Sequence, residues 1–142
     1  MLLRVSKGVL FFTFFLLSGT ALAQSDSSVI HISLHGNYDA MRLSRGVRTE
    51  EDVTRTLKQQ EKFLLACLQS VYSGLGKDTP KGILQLRLLI QPDGYASDVQ
   101  IMRSPLPLQM LQDCIQQIFS RARFKNVRES SDQQLTVDYT IE

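Results

Sequence analysis

Residues 82–94 read GILQLRLLIQPDG, and this stretch decides the fold of the chain. Every second residue from Leu84 to Ile90 is a large aliphatic one, which is the period of a β-strand with one buried face. Pro92-Asp93-Gly94 then predicts a tight turn, because glycine readily adopts the positive φ that such turns require. Residues 95–103 return as the partner strand, so an antiparallel hairpin is predicted at the centre of the chain.

One amphipathic helix is predicted on each side of this hairpin. The first begins after Thr49, a good N-cap residue followed by three acidic residues, and it ends at Gly74 and Gly76. The second follows Pro107, whose fixed φ suits the start of a helix. Apolar residues recur at helical spacing in both: Val53, Leu57, Leu64, Cys67, Leu68 and Val71 in the first, and Leu111, Cys114, Ile115 and Ile118 in the second.

Two further strands are predicted towards the ends of the chain, at residues 28–35 and 133–141, because both segments alternate. The segment 36–48 has no period and is predicted to be a loop. The inner side chains are Ile30, Ile32 and Leu34 in the first of these strands, and Leu135, Val137, Tyr139 and Ile141 in the second. This order of elements predicts the α+β class: a two-layer domain with a small antiparallel sheet of three to four strands and two helices on one face.

The first 23 residues have the pattern of a cleaved secretory signal peptide. Arg4 and Lys7 precede the apolar run at residues 8–17, and the small residues of Ala21-Leu22-Ala23 follow. The apolar run is shorter than the roughly 20 residues of a membrane-spanning helix, so an uncleaved anchor is the weaker interpretation. Cleavage after Ala23 predicts export to the periplasm, with no membrane span in the mature chain.

Composition and charge exclude several classes of protein. The 142 residues carry 16 Lys and Arg against 14 Asp and Glu, and two of the basic residues belong to the signal peptide, so the mature chain is neutral. A neutral domain is not a general nucleic-acid binder. The length fits one domain, predicted at residues 46–142 behind an N-terminal extension at residues 24–45.

Export to an oxidising compartment predicts a disulfide between Cys67 and Cys114. Both cysteines lie on the apolar stripes of their helices, so they come within reach if the helices pack on the same face of the sheet. The loop between them spans 47 positions, for which the chain-entropy model gives roughly 4 kcal/mol. Two buried free cysteines are the alternative. No other residues are spaced to complete a zinc site, and no metal or cofactor is predicted.

Motifs of catalysis are missing from the sequence, which has no GxSxG, HExxH, glycine-rich phosphate loop or CxxC. His31 and His35 share one side of a predicted strand, and a solvated polar face accounts for them more simply than a metal pair. We therefore expect a protein that is not an enzyme. A minor hydrolase with an unmarked site is a remaining alternative, and it would need a perturbed acid or base in a pocket.

Several segments occur in an order that is found in a known family. The first helix starts at Gly46–Val53 and carries Cys67. The hairpin of residues 82–104 comes next. The second helix then carries Cys114 and closes at Arg121–Phe124. This order resembles the TonB C-terminal domain superfamily, and within it most of all the AgmX/PglI C-terminal domain of bacterial envelope and gliding-motility proteins. The chain departs from the family at two positions, where Ala122 replaces a tryptophan and Lys125 a proline.

The predicted architecture and the resemblance both imply docking of extended protein segments at the edges of the sheet. The first and last predicted strands are the expected edges, with Ile30, Ile32, Leu34, Leu135, Val137 and Tyr139 as candidate docking residues. TonB-type transducers also have a membrane anchor and a proline-rich arm. Neither is seen in this chain, so we do not expect it to couple the proton-motive force.

The expected function is that of a periplasmic, non-enzymatic structural subunit or adaptor in a multi-protein envelope machine, such as a secretion or motility complex. The expected partners are other envelope proteins, with association to the outer membrane through them. The alternative is a free-standing periplasmic binding protein or inhibitor for a small or polymeric ligand.

A basic cluster at the end of the second helix comprises Arg121, Arg123, Lys125 and Arg128. Cations at this position interact favourably with the helix C-terminus, which is the simpler account. An anionic partner, such as a lipid headgroup, a cell-wall polymer or an acidic protein face, is the alternative. The neutral charge of the mature chain favours the first account.

Overall fold

The computed structural model describes residues 31–75, 80–128 and 131–142. Four strands form one antiparallel sheet in the order β1-β4-β2-β3, with two helices. This arrangement confirms the predicted α+β class. The predicted signal peptide and Ile30 lie outside the described residues. In chain order the elements are β1 (Leu34–Leu43), α1 (Glu50–Ser73), β2 (Gly82–Ile90), β3 (Ala96–Arg103), α2 (Leu108–Arg121) and β4 (Gln133–Ile141).

The ends of the helices follow from local chemistry. Thr49 caps α1: its hydroxyl accepts a hydrogen bond from the backbone N–H of Asp52, and its own N–H donates to the Asp52 carboxylate, both at 3.2 Å. This reciprocal capping box satisfies two donors that the helix leaves free. At the other end Gly74 is the C-cap of α1, and Pro107 is the N-cap of α2.

The hydrophobic core lies between the two helices and one face of the sheet. Every second residue of β2 and β4 points into it, which is why their sequences alternate so clearly. Each fully buried aliphatic side chain contributes about 1.5–3 kcal/mol. The largest fully buried side chains are Leu84, Leu86, Leu88 and Ile90 of β2, Tyr139 of β4, Leu57, Leu64, Leu68 and Tyr72 of α1, and Leu111, Ile115 and Phe119 of α2.

The N-terminal strand lies later in the chain than the sequence predicts. The sequence pattern places a strand at residues 28–35 and a loop at residues 36–48, whereas β1 runs from Leu34 to Leu43. Tyr38–Met41 form a bulge opposite a single residue of β4. The extra residues break the two-residue period, so the second half of β1 looks aperiodic in the sequence.

β1 belongs to the same sheet as the rest of the domain. It pairs with β4 in antiparallel fashion, and Ser33 continues the pairing by exchanging two backbone hydrogen bonds with Glu142 at 2.9 and 3.1 Å. The folded sheet therefore includes a strand that precedes Gly46, the predicted start of the domain.

The expectation that the last strand is an edge is wrong. β4 lies inside the sheet, with β1 on one side and β2 on the other. A strand that alternates buried and polar residues can be either internal or at an edge, because alternation reports which face is buried and not which neighbours are present. The two edges of the sheet are β1 and β3.

Candidate functional site

β3 presents an open edge of the sheet. It pairs with β2 on one side, and none of its backbone groups bonds to any other described segment. The pairing is regular over Asp98–Ile101, and single-residue bulges at Ser97 and Met102 interrupt it on either side. The outer backbone donors and acceptors of this four-residue stretch are available to an extended strand from another protein.

The side chains of β3 give this edge two different faces. Val99 is buried and Ile101 is partly buried against the core, whereas Asp98 and Gln100 are exposed on the open face of the sheet. Met102, at the second bulge, is 43% exposed. A strand that adds here meets apolar neighbours on one face and polar neighbours on the other.

The opposite edge, β1, is protected. Its bulge at Tyr38–Met41 removes the regular spacing of backbone groups that a partner strand needs. Asp39 and Arg42 are exposed on the same strand, and charged residues on an edge oppose pairing with another chain. β3 also carries bulges and exposed charges, but its bulges are single residues, whereas four residues of β1 bulge out together, so we take β3 as the more regular edge.

A tyrosine pair holds the bulged part of β1 against the domain. The Tyr38 hydroxyl donates a hydrogen bond to the Glu61 carboxylate on α1, and its ring meets that of Tyr139 edge to face, with centroids 6.3 Å apart. Burial raises the pKa of both tyrosines above the ordinary value. Both hydroxyls therefore stay protonated near neutral pH, and the pair serves packing rather than acid–base chemistry.

The structure places five of the six predicted docking residues, and Ile30 lies outside the described residues. Leu135, Val137 and Tyr139 are buried in the core on the internal strand β4, so their side chains face the helices and not a partner. Leu34 is partly buried at the start of β1, and Ile32 is buried just before it. None of the predicted docking residues lies on β3. These residues were predicted because apolar residues alternate along the two strands, and such alternation marks positions that face the core.

Cys67 and Cys114 form a disulfide that joins α1 to α2, with their Cα atoms 6.3 Å apart. Cys67 is buried and Cys114 is partly buried at the helix–helix contact. The pairing follows from the apolar stripes of the two helices, which bring both cysteines to one side of the sheet.

The residues of the basic cluster make different contacts. The Arg123 guanidinium stacks on the Tyr95 ring, 3.7 Å from its centroid, and donates to the carbonyls of Ser120 and Ala122 at 3.0 and 2.9 Å. Lys125 pairs with Asp52 at 3.3 Å. Arg121 and Arg128 are exposed. The contacts of Arg123 with carbonyls at the end of α2 agree with the account in which these cations stabilise the helix terminus.

Arg48 is a buried residue whose role the sequence did not reveal. Its guanidinium donates to the carbonyls of Lys125 and Gln91, both at 2.6 Å, and of Pro92 at 3.1 Å, and it lies 3.4 Å from the Gln133 side-chain oxygen. Burial lowers the pKa of Arg48, although an arginine stays charged at neutral pH. Arg48 thus ties the start of α1 to the β2–β3 turn, to the segment after α2 and to β4.

An open depression of about 700 Å³ lies between β1 and the start of α1. It is lined by acidic and basic side chains, and no serine, cysteine or histidine is among them. Across residues 31–75, 80–128 and 131–142, no cluster of three or more His, Cys, Asp or Glu is placed to hold a metal. No helix there is both long and apolar enough to span a membrane.

Comparison of the chain with protein-family models, with curated proteins and with solved structures finds no match.

Proposed function

We propose that this protein is a periplasmic, non-enzymatic interaction domain that docks an extended segment of another envelope protein at the free edge of β3. The observation that carries the proposal is the unpaired outer edge of Asp98–Ile101. In the larger assembly the domain acts as a structural subunit or adaptor, such as that of a secretion or motility complex.

Three features support this proposal. The signal-peptide pattern of residues 1–23 and the Cys67–Cys114 pair both suit an oxidising compartment outside the cytoplasm. The order of segments resembles the TonB C-terminal domain superfamily, in which strand docking is the expected mode. The other edge, β1, is interrupted by a longer bulge, at Tyr38–Met41, than the single-residue bulges of β3, which favours β3 as the docking edge.

The geometry of β3 specifies the chemistry of the partner segment. Side chains that adjoin Val99 and Ile101 lie beside the core and should be apolar, whereas those that adjoin Asp98 and Gln100 face water and should be polar. The bulges at Ser97 and Met102 limit regular pairing to about four residues. We expect a short partner segment with alternating apolar and polar residues.

Site-specific photo-crosslinking in living cells tests this docking mode. A photoreactive amino acid placed at position 100 on β3 should capture a single envelope protein, which mass spectrometry then identifies. The same amino acid at position 59, on the exposed surface of α1, is the matched control and should capture little of that protein. Gln100 and Gln59 are both exposed glutamines, so the two variants differ in location and not in the residue that is replaced.

The outcomes are distinguishable. Capture of the same partner from position 37 on β1, with none from position 100, would move the docking site to the other edge. Recovery of the protein as a free monomer, with no specific adduct from any position, would contradict the adaptor function. That second result would favour the alternative of a free-standing binding protein for a small or polymeric ligand.

A further inference from the structure

Two arginines flank the same residue on the open face of the sheet. Arg42 of β1 and Arg87 of β2 are both register partners of Thr136, which lies between them on β4. Their Cα atoms are therefore two interstrand spacings apart, about 10 Å. Directly opposed side chains lie on the same face of a sheet, so two long guanidinium side chains occupy one row above Thr136.

A depression of about 400 Å³ lies at this row. Hydrogen-bond donors dominate its lining, and it has no carboxylate. The Ser44 hydroxyl oxygen accepts from the Gln134 backbone N–H at 2.8 Å, and a hydroxyl that accepts can still donate its own hydrogen. The lining consists of Arg42, Leu43, Ser44, Arg87, Gln134 and Thr136.

The Arg87 guanidinium lacks an acceptor among the described residues. Its Nε atom is shielded from solvent and has no hydrogen-bond partner there. A buried donor without a partner costs about 1–3 kcal/mol, and more when the group is charged. Neither Arg42 nor Arg87 forms an ion pair with any described carboxylate. Two unpaired cations in one row also repel each other.

Two acidic residues lie near this row, and neither forms an ion pair with Arg42 or Arg87. Asp138, two residues along β4 from Thr136, accepts a hydrogen bond from the Gln85 amide at 2.8 Å. Asp98 borders a smaller depression on the other side of Arg87, and it accepts from the Gln100 amide at 2.9 Å. The row of arginines is thus left without a counter-ion in the described part of the chain.

We propose that the depression between Arg42 and Arg87 binds a small oxyanion, a carboxylate or a phosphate group. Guanidinium groups present donors in a planar fork that matches both of these anions. The Ser44 and Thr136 hydroxyls supply further donors at the floor. Arg87 is also the register partner of Gln100 on β3, so the site lies one strand in from the β3 edge. Its binding chemistry does not depend on the docking function proposed above.

Nuclear magnetic resonance titration of the ¹⁵N-labelled protein tests the site. Inorganic phosphate and acetate are added in separate titrations, with sodium chloride at matched ionic strength as the reference. We expect saturable shifts of the Arg87 Nε–H signal and of the Ser44 and Thr136 amides with at least one of the two anions. A response to phosphate alone or to acetate alone identifies which oxyanion the site prefers.

Matched variants separate specific binding from general charge effects. Arg42→Gln should weaken the apparent affinity about tenfold, because one charge-assisted contact is lost. Arg121→Gln removes an equally exposed arginine from α2 and should leave the affinity unchanged. Arg42 is exposed on an edge strand, so Arg42→Gln should keep the melting temperature of the wild type. The photoreactive amino acid at position 100 should still capture the same partner in this variant.

Non-saturating shifts that equal those in sodium chloride would overturn the proposal. Equal affinities for the wild type and Arg42→Gln, measured on folded protein, would also overturn it.

Discussion

At the scale of single residues, Arg48 joins separate parts of the described chain through its hydrogen bonds. It is 2% exposed and donates to carbonyls of two loops. Arg48→Ala should lower the free energy of unfolding by about 3 kcal/mol, because three partly buried carbonyls lose a charged donor. Urea denaturation measures this loss. The control is Arg45→Ala, which removes an exposed arginine three residues earlier and should change stability by less than about 0.5 kcal/mol.

A second prediction concerns Gly94 in the β2–β3 turn. Its φ is +92°, and a Cβ atom there would lie 2.2 Å from the carbonyl oxygen of Phe124. Gly94→Ala should therefore cost at least about 2 kcal/mol, since the backbone is strained and the turn must separate from the segment after α2. Gly74→Ala is the matched control: Gly74 has right-handed helical angles and space for a Cβ, so the change should be neutral or stabilising. Equal thermal stability of the two variants would contradict this assignment.

At the scale of elements, the disulfide links the two helices that cover the sheet. Mass analysis of unreduced protein from the periplasm should show the loss of two hydrogens relative to the reduced chain. Reduction should lower the free energy of unfolding by up to roughly 4 kcal/mol, because the bond closes a loop of 47 residues. The variant in which both Cys67 and Cys114 are alanine should not respond to reductant. Free thiols at both positions in exported protein would refute the bond.

The N-terminal cap of α1 predicts a dependence of stability on pH. The Thr49 backbone N–H, and then Lys125, hold the pKa of the Asp52 carboxyl below its ordinary value. A lowered folded-state pKa stabilises the fold above the unfolded-state pKa, near 4, and this stabilisation is lost as the pH falls through the folded-state pKa. Between pH 7 and about pH 3 the wild type should therefore lose more stability than Asp52→Asn. Parallel urea titrations at the two pH values check this difference, and identical losses in both proteins would contradict it.

At the scale of the whole molecule, export is the first property to test. We expect the protein in the periplasmic fraction with Gln24 as its N-terminal residue, because the apolar run and the small residues before it fit signal peptidase cleavage. N-terminal sequencing of the fractionated protein measures this directly. A chain that keeps Met1 in the cytoplasmic fraction would contradict both the export and the periplasmic function.

The two strands that the sequence located well, β2 and β4, are the ones packed against the core along their whole length. Their alternation is therefore complete, and the observed bounds equal the predicted ones. β1 was misplaced because its bulge shifts the side chains from one face to the other at Tyr38–Met41. No local pattern marks such a shift, since its cause is the pairing with β4.

The candidate sites differ in the same way: some follow from local sequence patterns, and others depend on which strands become neighbours. The pairing of Cys67 with Cys114 was expected from the sequence, because export favours a disulfide and both residues lie on the apolar stripes of their helices. The sequence could not show whether β4 lies at an edge of the sheet, because the order of the strands decides which backbone edges are free. The row formed by Arg42, Thr136 and Arg87 joins three strands that are distant in the chain, and only their register brings the arginines together.

Local sequence patterns specify the class of the fold, the bounds of α1 to within a residue, the start of α2 and the inner faces of the main strands. Those features depend on local periodicity, capping and turn residues, all of which act over a few positions of the chain. The free edge at β3, the burial of Arg48 and the depression shared by two arginines become visible only in the folded sheet. These features depend on which distant segments become neighbours, and the free energy that selects those neighbours is spread over the whole core.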